Sequence, residues 1–479
     1  MTHTVEKIGG TSMSRVNELV EALFVGRRTE AELYGRVFVV SAFGGITNLL
    51  LEHKKTGEPG VYARFADADT DHGWHDALSR VSDAMRRAHK AVLDNSGDVA
   101  QADAFVAERI EGARNCLIDL QRLCSYGHFR LAEHMLQIRE LLSGLGEAHS
   151  AFVTTLMLQR AGVNARFVDL SGWRDEGDVT LEQRISQALD GVDPTIEMPI
   201  VTGYAQCAEG LMREFDRGYS EVTFSCLAAL TGASEAIIHK EFHLSSADPN
   251  LVGAGVARKL GHTNYDVADQ MSNMGMEAIH PKAAKTLRQA DVPLRVTNAF
   301  EPEDPGTLID DKPAERPAVE MITGLDIIAL EVFEQDMVGV KGYDAAILEV
   351  LTRHDVRIVS KTSNANTITH YLDASLTVMK RVEKDLARLY PNAEISARLL
   401  SMASAIGRDL HGLSVLTRGL QAIADVGLAS VGASQGPRSV DVQFIVERED
   451  LKPVISALHR QLVEGRKAPG QAKPIKAAA

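Results

Sequence analysis

The chain has 479 residues, a formal net charge of −14 at pH 7, and 45% hydrophobic and 24% charged residues. That length exceeds one typical core, so we expect two or three domains. The acidic balance excludes a general nucleic-acid-binding role, which needs a basic face. No apolar run approaches the roughly 18 residues of a membrane span, and the polar N-terminus does not resemble a signal peptide. Four cysteines without a CxxC pair predict reduced thiols and a cytoplasmic location.

The first 310 residues alternate short β-branched runs with longer helical patterns. Strands are predicted at 5–8, 37–41, 200–202, 236–239 and 294–297. Helices are predicted at 14–24, 104–123, 147–160 and 221–230. This alternation predicts βαβ units and a mostly parallel sheet sandwiched by helices, which is an α/β fold.

The rest of the chain changes character. Prolines and acidic residues follow one another after residue 301, and we predict a linker at 311–320. A β-α-β-β-α plan then occurs twice, which predicts two small α+β modules at 321–392 and 393–465. The small, basic residues at 466–479 predict a disordered tail. The first domain is therefore assigned to 1–310.

The first candidate site is the run Lys-Ile-Gly-Gly-Thr-Ser at residues 7–12. A predicted strand ends at Ile8, and Gly9 and Gly10 allow the backbone to approach a ligand. Backbone N–H groups at the start of the next helix can face a phosphate, and Lys7 adds a mobile positive charge. The run is not a Walker A motif. On spacing alone, a strand-to-helix turn with a surface lysine is an equally good interpretation.

A second strand runs into the segment Ser-Ala-Phe-Gly-Gly-Ile-Thr-Asn at 41–48, which offers the hydroxyls of Ser41 and Thr47. In an open α/β sheet, the carboxyl ends of the strands form the ligand crevice. The two loops would therefore line one crevice. Serine and threonine are also common turn residues, so this segment alone is a weak signal.

Together these two runs resemble the aspartate kinase family, within the amino-acid kinase fold. Further segments match the family's motifs in order, at 146–150, 201–204, 216–221, 247–249 and 265–281. The C-terminal duplication resembles the paired ACT modules of these enzymes. The resemblance implies ATP-dependent phosphorylation of the side-chain carboxylate of L-aspartate, with ATP and Mg²⁺, as a first step of aspartate-derived amino-acid or ectoine synthesis.

The resemblance also implies residue roles. Lys7 and Arg217 would be catalytic, and Arg217 would clamp a carboxylate of aspartate. Glu147 would bind the ammonium of aspartate, with hydrogen bonds from Ser41 and Thr47. The nucleotide side would be formed by Lys7, Gly9, Gly10, Thr11, Ser12, Lys240, Glu241 and Asp248. No residue is assigned as a metal ligand. Because the acceptor carboxylate is already ionised, the enzyme must mainly position two anions and neutralise their repulsion.

Some residues depart from the family's pattern. Tyr219 stands where the family has a glycine, and Glu277 replaces a lysine. Glu221 and Glu241 replace aspartates near the nucleotide. We hypothesise that Lys240 restores the charge lost at Glu277. These departures are similar to the aspartate kinases dedicated to ectoine synthesis.

The ACT resemblance implies an amino-acid effector at the interfaces between modules. The candidate effector-binding residues are Ser363, Asn364, Asn366, Ser434 and Gln435. Arg408 would oppose a cationic effector such as lysine. Modules with open edge strands pair with another copy, which predicts a dimer-based homo-oligomer.

Two other functions stay open at this point. One is a kinase for another acidic amino acid, and the other is an effector-binding protein with a silent kinase domain. Two further patterns are rejected as sites. The run at 253–258 lacks the third glycine of a dinucleotide motif. His239 and His243 lie on a strand-like run, where four residues span about 13 Å, so they could not share a metal ion.

Overall fold

The computed structural model describes residues 2–67, 73–175, 177–215, 218–276, 279–313 and 316–465. Arg217, Glu277 and the predicted tail at 466–479 lie outside these ranges. The chain divides into two units, Met1–His243 with Ile279–Asp311, and Leu244–Ala278 with Lys312–Ala479. This division differs from the predicted domain at 1–310, because Leu244–Ala278 groups with the second unit.

The strands, in chain order, are β1 (Thr4–Ile8), β2 (Arg36–Val40), β3 (Ala165–Val168), β4 (Met198–Thr202), β5 (Glu235–Lys240), β6 (His262–Asn264), β7 (Leu294–Asn298), β8 (Thr307–Asp310), β9 (Ala318–Phe333), β10 (Arg357–Ser363), β11 (Thr367–Asp373), β12 (Glu394–Arg408), β13 (Gly432–Gln435) and β14 (Asp441–Glu447).

The α-helices are α1 (Gly10–Met13), α2 (Val16–Leu19), α3 (Glu30–Leu33), α4 (Ile46–Leu50), α5 (Val61–Ala66), α6 (Gly73–Lys90), α7 (Ser96–Cys124), α8 (Met135–Arg160), α9 (Leu181–Ala188), α10 (Leu211–Phe215), α11 (Tyr219–Thr231), α12 (Pro249–Val252), α13 (Tyr265–Asn273), α14 (Pro281–Gln289), α15 (Tyr343–Arg353), α16 (Leu376–Leu389), α17 (Val415–Asp425) and α18 (Leu451–His459). π-Helical turns lie at Val20–Phe24 and Arg460–Glu464. Among the helices that the structure describes, none combines the length and the apolar character required to cross a membrane.

The sheet of the first unit has the strand order β3-β4-β2-β1-β5-β7-β8. Its strands are parallel from β3 to β7, and β8 joins antiparallel. Every residue of β2 and β4 is buried, as expected for strands covered on both faces. The register aligns Ile8, Val40, Thr202 and His239, so the loops after β1, β2, β4 and β5 leave one edge side by side. The predicted α/β class is confirmed.

The predicted strands agree with these bounds within one or two residues at each end, but three helices differ. The helix predicted to begin at 104 begins earlier, at Ser96 of α7. The range 14–24, predicted as one helix, contains α2 and a π-helical turn, and the separate α1 precedes it. The helix predicted to begin at 147 begins at Met135, because Gly144 and Gly146 are packing positions and not a helix boundary. A Cβ at Gly144 would lie 3.0 Å from the Tyr204 ring, and one at Gly146 would lie 3.0 Å from the Ala42 side chain.

The second unit contains an antiparallel sheet in the order β10-β11-β9-β12-β14-β13. One core gathers Ile328 and Leu330 of β9 with α15 and α16, and the other gathers Val319 and Ile322 of the same strand with α17 and α18. The long strands β9 and β12 therefore pass through both modules. The two α+β modules are present, but they share one sheet. The predicted linker at 311–320 also ends too late, since β9 begins at Ala318.

Candidate functional site

The carboxyl ends of β1, β2, β4 and β5 carry the residues that the sequence singled out. Lys7 lies near the end of β1, and its ammonium is close to Gly9, where a Cβ would be 3.8 Å from Nζ. A Cβ at Gly10 would lie 2.9 Å from the carbonyl oxygen of Ala42, so this close approach requires glycine. Ser41 follows β2 directly, and its N–H donates to the carbonyl of Ile8. The two glycine-containing loops therefore meet, as predicted.

Lys7 is held by a carboxylate that the sequence had placed near the nucleotide. Its Nζ lies 3.4 Å from Oε1 of Glu221, and both side chains are largely buried. The backbone N–H of His280 donates to the other oxygen of Glu221. Burial alone would raise the pKa of Glu221, but the charges of Lys7 and Lys240 lower it below its ordinary value. Glu221 therefore stays ionised, and its negative charge attracts Lys7 and Lys240 at this edge of the sheet.

Glu147 projects from α8 into a buried cluster of hydroxyls. Ser220 donates to its Oε1 at 2.9 Å, and the Ser220 hydroxyl lies 3.3 Å from that of Ser41. Ser150 holds the same loop by donating to the carbonyl of Ser41 at 2.7 Å. The second oxygen of Glu147 is buried and has no hydrogen-bond partner of normal geometry among the described residues. The Tyr219 side chain and the backbone of Tyr204 nevertheless lie close enough to lower the pKa of this carboxyl group. Burial raises the pKa of Glu147 to about 8, although Ser220 and the charge of Lys7 act in the opposite direction.

The space for this carboxylate depends on Gly203, which lies in the segment 201–204 noted above but received no role from the sequence. Gly203 follows β4, and a Cβ there would lie 2.7 Å from Oε2 of Glu147 and 2.9 Å from the carbonyl oxygen of Val40. Because glycine has no Cβ, only glycine at position 203 leaves room for this oxygen of Glu147. The signal available in the sequence was a glycine directly after a buried strand.

Gly203→Ala is expected to raise the KM for aspartate about tenfold or more, because the new methyl group would displace the Glu147 carboxylate. A shift of this kind costs of the order of 1–3 kcal/mol. Steady-state kinetics with varied aspartate would measure it. Gly73→Ala is the matched control, since a Cβ at Gly73 meets nothing within 4 Å. Equal KM values in the two variants would contradict the role of Gly203.

The remaining predicted residues have different surroundings. Ser12 is buried in α1 and donates to Oε1 of Glu241 at 2.5 Å, so its hydroxyl is already committed. Thr11 is exposed, and Thr47 is partly buried in α4. Asp248 belongs to the second unit, where its side chain accepts from the N–H of Asn250 and caps α12. The structure thus brings together Lys7, Gly9, Gly10 and Ser41 with Glu147, Ser220 and Glu221.

A buried histidine pair behind this cluster also escaped the sequence reasoning. His149 lies on α8 two residues after Glu147, and its ring meets Phe43 edge-on with centroids 5.5 Å apart. Its Nε2 lies 3.2 Å from Nδ1 of His89, whose Nε2 lies 3.2 Å from Asp103. Because the carboxylate accepts from His89, the latter accepts from His149, which fixes both neutral tautomers. His149 thereby supports the loop that carries Ser41.

The structure also argues against a metal ion shared by His239 and His243. His239 is buried on β5 between Glu6 and Thr297, at 2.8 and 2.7 Å. His243 lies beyond the strand, 3.1 Å from Glu301. Within the described ranges no group of three histidine, cysteine, aspartate or glutamate side chains is arranged to hold a metal ion.

The candidate effector residues lie in two hairpin regions of the second unit. The Asn364 side chain accepts from the N–H groups of Asn366 and Thr367 and so closes its own turn after β10. Ser434 and Gln435 end β13, and Gln435 lies 3.3 Å from the Ser439 hydroxyl. These contacts leave the effector assignment untested.

Arg408 does not offer the free charge that the sequence analysis expected. It forms an ion pair with Glu320 and donates to the carbonyl of His262 at 3.1 Å. Because Glu320 neutralises the guanidinium, the expectation that Arg408 repels lysine loses its basis.

The edge of the sheet fits a nucleotide triphosphate with Mg²⁺. Lys7 offers a cation, Gly9 adds no Cβ beside the Lys7 ammonium, and Glu221 and Glu241 offer carboxylates. Mg²⁺ is usually held by one or two protein carboxylates together with water and phosphate oxygens, so a dedicated cluster of three acidic residues is not required.

Comparisons with known proteins identify the family of this chain. Residues 3–298 match the model of the amino acid kinase family. The chain is 52% identical over 464 residues to aspartate kinase Ask_Ect of Stutzerimonas stutzeri, covering 96% of this chain and 98% of the relative. It is 23% identical to the chloroplastic aspartokinase 3 of Arabidopsis thaliana, over 96% of this chain and 81% of that protein.

The fold is similar to that of Escherichia coli aspartokinase III, solved in complex with lysine and aspartate, with a TM-score of 0.70 at 20% identity over 96% of this chain and 99% of that one. The chain belongs to the amino acid kinase family and, within it, to the aspartate kinases.

Proposed function

We propose that this chain transfers the γ-phosphoryl group of ATP to the side-chain carboxylate of L-aspartate, giving 4-phospho-L-aspartate and ADP. The observation that carries the proposal is the buried carboxyl group of Glu147 beside Ser41 and Ser220, one oxygen of which has no partner of normal hydrogen-bond geometry among the described residues. An unpaired buried carboxylate is costly unless a cation reaches it. The ammonium of an amino acid supplies that cation, and the 52% identical aspartate kinase supports aspartate as the substrate.

The reaction needs positioning and charge neutralisation more than acid–base chemistry. The acceptor carboxylate attacks the γ-phosphorus, the bond to the β–γ bridging oxygen breaks, and ADP leaves with that oxygen. Lys7 lies where its charge would offset the negative charge on the transferring group, and Arg217, outside the described residues, would clamp a carboxylate of aspartate. Mg²⁺ bound with the nucleotide would neutralise part of the phosphate charge.

The raised pKa of Glu147 predicts how aspartate binding depends on pH. Below about pH 8 the free carboxyl group holds a proton that must leave before the ammonium can pair with it. The KM for aspartate should therefore fall as the pH rises from 6 to 8, by about tenfold or more, while the KM for ATP changes little. Kinetics at several pH values would measure both constants. A KM for aspartate that does not change with pH would contradict this assignment. A pH dependence of this KM that the Glu147→Gln variant retains would contradict it as well.

An ATP-dependent hydroxamate assay tests the proposal against its alternatives. Hydroxylamine captures an acyl phosphate, so aspartate should give product and glutamate should give little. Product from glutamate alone would identify a kinase for another acidic amino acid. No product from any amino acid, in a folded protein that binds an effector, would identify a silent kinase domain.

We also propose a dimer-based homo-oligomer. The strands β10 and β13 form the two edges of the six-stranded sheet, and exposed edges invite pairing with another copy. Size-exclusion chromatography with light scattering should give at least twice the monomer mass of 52.0 kDa. A monomer at micromolar concentration would refute this part. The effector role of the two hairpin regions around Asn364 and Ser434 is retained as a proposal.

The pathway branch and the location complete the proposal. Ectoine synthesis is supported by the departures at Tyr219, Glu221 and Glu241, together with the similarity to Ask_Ect. A cytoplasmic location is supported by the four cysteines, which are all free thiols.

A further inference from the structure

A cavity of about 540 Å³ lies in the first unit, among α7, α8, α10 and the loops that follow β3 and β4. We call it the Trp173 pocket, after the ring in its wall. Tyr204, Arg174 and Arg213 also line it, whereas Lys7, Ser41 and Glu147 do not. Its size falls within the range of about 300–1,000 Å³ that is typical of small-molecule sites. It lies at the carboxyl ends of strands, where α/β folds bind ligands.

The aromatic wall of the Trp173 pocket is held rigidly. A Cβ at Gly112 of α7 would lie 2.5 Å from the indole of Trp173, and one at Gly144 of α8 would lie 3.0 Å from the Tyr204 ring. The two rings therefore pack directly on helix backbone. The guanidinium of Arg109 lies 4.7 Å from the centre of the Trp173 ring and donates to Asp169 at 2.6 Å. Such fixed rings offer apolar surface at low entropic cost.

The charges around the pocket favour an anion. Glu140 is already committed, since its oxygens accept from the Tyr204 hydroxyl at 2.7 Å and from the Met212 N–H at 2.8 Å. The Arg213 guanidinium donates to the carbonyl of Glu209, a partner that carries no formal charge. Arg174 is exposed and comes no closer than 3.9 Å to Glu108. Asp178 is the other acidic lining residue and is exposed to solvent.

The pocket is lined by close sequence neighbours of residues in the proposed aspartate site. Tyr204 directly follows Gly203, which packs against the free oxygen of Glu147. Arg213 lies on α10, whose first turn is held by Glu140 and whose chain continues to Arg217. A ligand that contacts Tyr204 and Arg213 would therefore affect the positions of Glu147 and Arg217, which are proposed to recognise aspartate.

We propose that the Trp173 pocket binds a small organic anion with an aromatic or apolar body, whose negative charge is bound by Arg174 and Arg213. We propose also that occupancy of this pocket changes the KM for aspartate. The binding part stands on the pocket alone. The effect on KM rests on the proposed function, and the two parts are measured separately.

Binding is tested on the full chain by isothermal titration with 8-anilinonaphthalene-1-sulfonate, an anion with an aromatic body. We expect one site that the double variant Arg174→Gln/Arg213→Gln weakens about tenfold or more, in line with the loss of charge-assisted hydrogen bonds. Arg213→Lys should retain most of the binding. The uncharged analogue N-phenyl-1-naphthylamine should bind at least about tenfold more weakly, because it lacks the sulfonate.

The matched control is Arg122→Gln, which changes an exposed arginine of α7 that does not line the pocket. It should bind the probe as the unchanged chain does. Equal binding in the double variant, or equal binding of the uncharged analogue, would overturn the proposed site. Circular dichroism melting curves would verify that each variant is folded, so that a loss of binding reports on the arginines.

The effect on the reaction is read from the KM for aspartate with and without the probe. We expect a change of about fivefold or more in the unchanged chain and none in the double variant, which corresponds to a coupling of typical size. A constant KM in a chain that binds the probe would overturn the coupling. If the protein showed no kinase activity but bound the probe in a way that depends on the two arginines, the proposed pocket would stand and the proposed function would be refuted.

Discussion

Lys7→Ala is expected to reduce kcat about a hundredfold or more and to leave the fold intact. The Lys7 ammonium lies at the carboxyl end of β1, close to Gly9, and it is held by Glu221. A charge held in place before the reaction stabilises the transferring phosphoryl group without reorganisation, and removing one such donor typically costs about a hundredfold to a thousandfold in kcat. The fold should survive because Lys240 still offsets the charge of Glu221.

Steady-state kinetics and a thermal melt of Lys7→Ala would measure the two quantities together. Lys285→Ala is the matched control, because Lys285 is an exposed residue of α14 in the same unit. It should retain the turnover of the unchanged chain. Near-normal turnover in folded Lys7→Ala protein would refute the phosphoryl role of this lysine.

Glu147→Ala is expected to lower kcat/KM for aspartate by about a hundredfold, with little change in the KM for ATP. Truncating one partner of a buried charge pair costs about 2–5 kcal/mol. The Glu147 carboxyl group is buried, Ser220 donates to one of its oxygens, and the other has no partner of normal hydrogen-bond geometry in the described part of the chain. Arg217→Ala should act in the same direction, since the same substrate would lose its carboxylate clamp.

Glu147→Gln separates charge from shape in this experiment. It keeps the volume and the hydrogen bond from Ser220, so a loss equal to that of Glu147→Ala would assign the effect to the charge. Glu111→Gln, at an exposed position of α7, is the control and should behave as the unchanged chain does. If ATP binding collapsed and aspartate binding did not, the two subsites would be reversed.

The sequence was sufficient to predict the strands and the edge that carries the chemistry. β-Branched runs identified β1, β2, β4, β5 and β7 within one or two residues. Once a parallel sheet is inferred, its carboxyl ends must meet at one edge, so the neighbourhood of Lys7 and Ser41 followed without coordinates. Both residues lie at strand ends, where local pattern and position in the sheet coincide.

Other features could not be predicted, because they depend on contacts between distant parts of the chain. The pairing of Ser12 with Glu241, and the approach of Gly203 to Glu147, require the register of three strands and the rotation of α8. A glycine such as Gly144 gives the same local sequence pattern whether it ends a helix or leaves space for an aromatic ring to pack on the helix. The sharing of β9 by two cores likewise has no local sequence signal.

The most direct test of aspartate phosphorylation is the transfer of labelled oxygen. Aspartate with ¹⁸O in the side-chain carboxylate would be incubated with ATP and hydroxylamine, and the released phosphate would be analysed by mass spectrometry. If this carboxylate attacks the γ-phosphorus, one of its oxygens leaves with the phosphate, so each hydroxamate formed should accompany one singly labelled phosphate. Aspartate labelled in the α-carboxylate should give unlabelled phosphate. Unlabelled phosphate from the side-chain label, or labelled phosphate from the α-carboxylate, would contradict the proposed reaction.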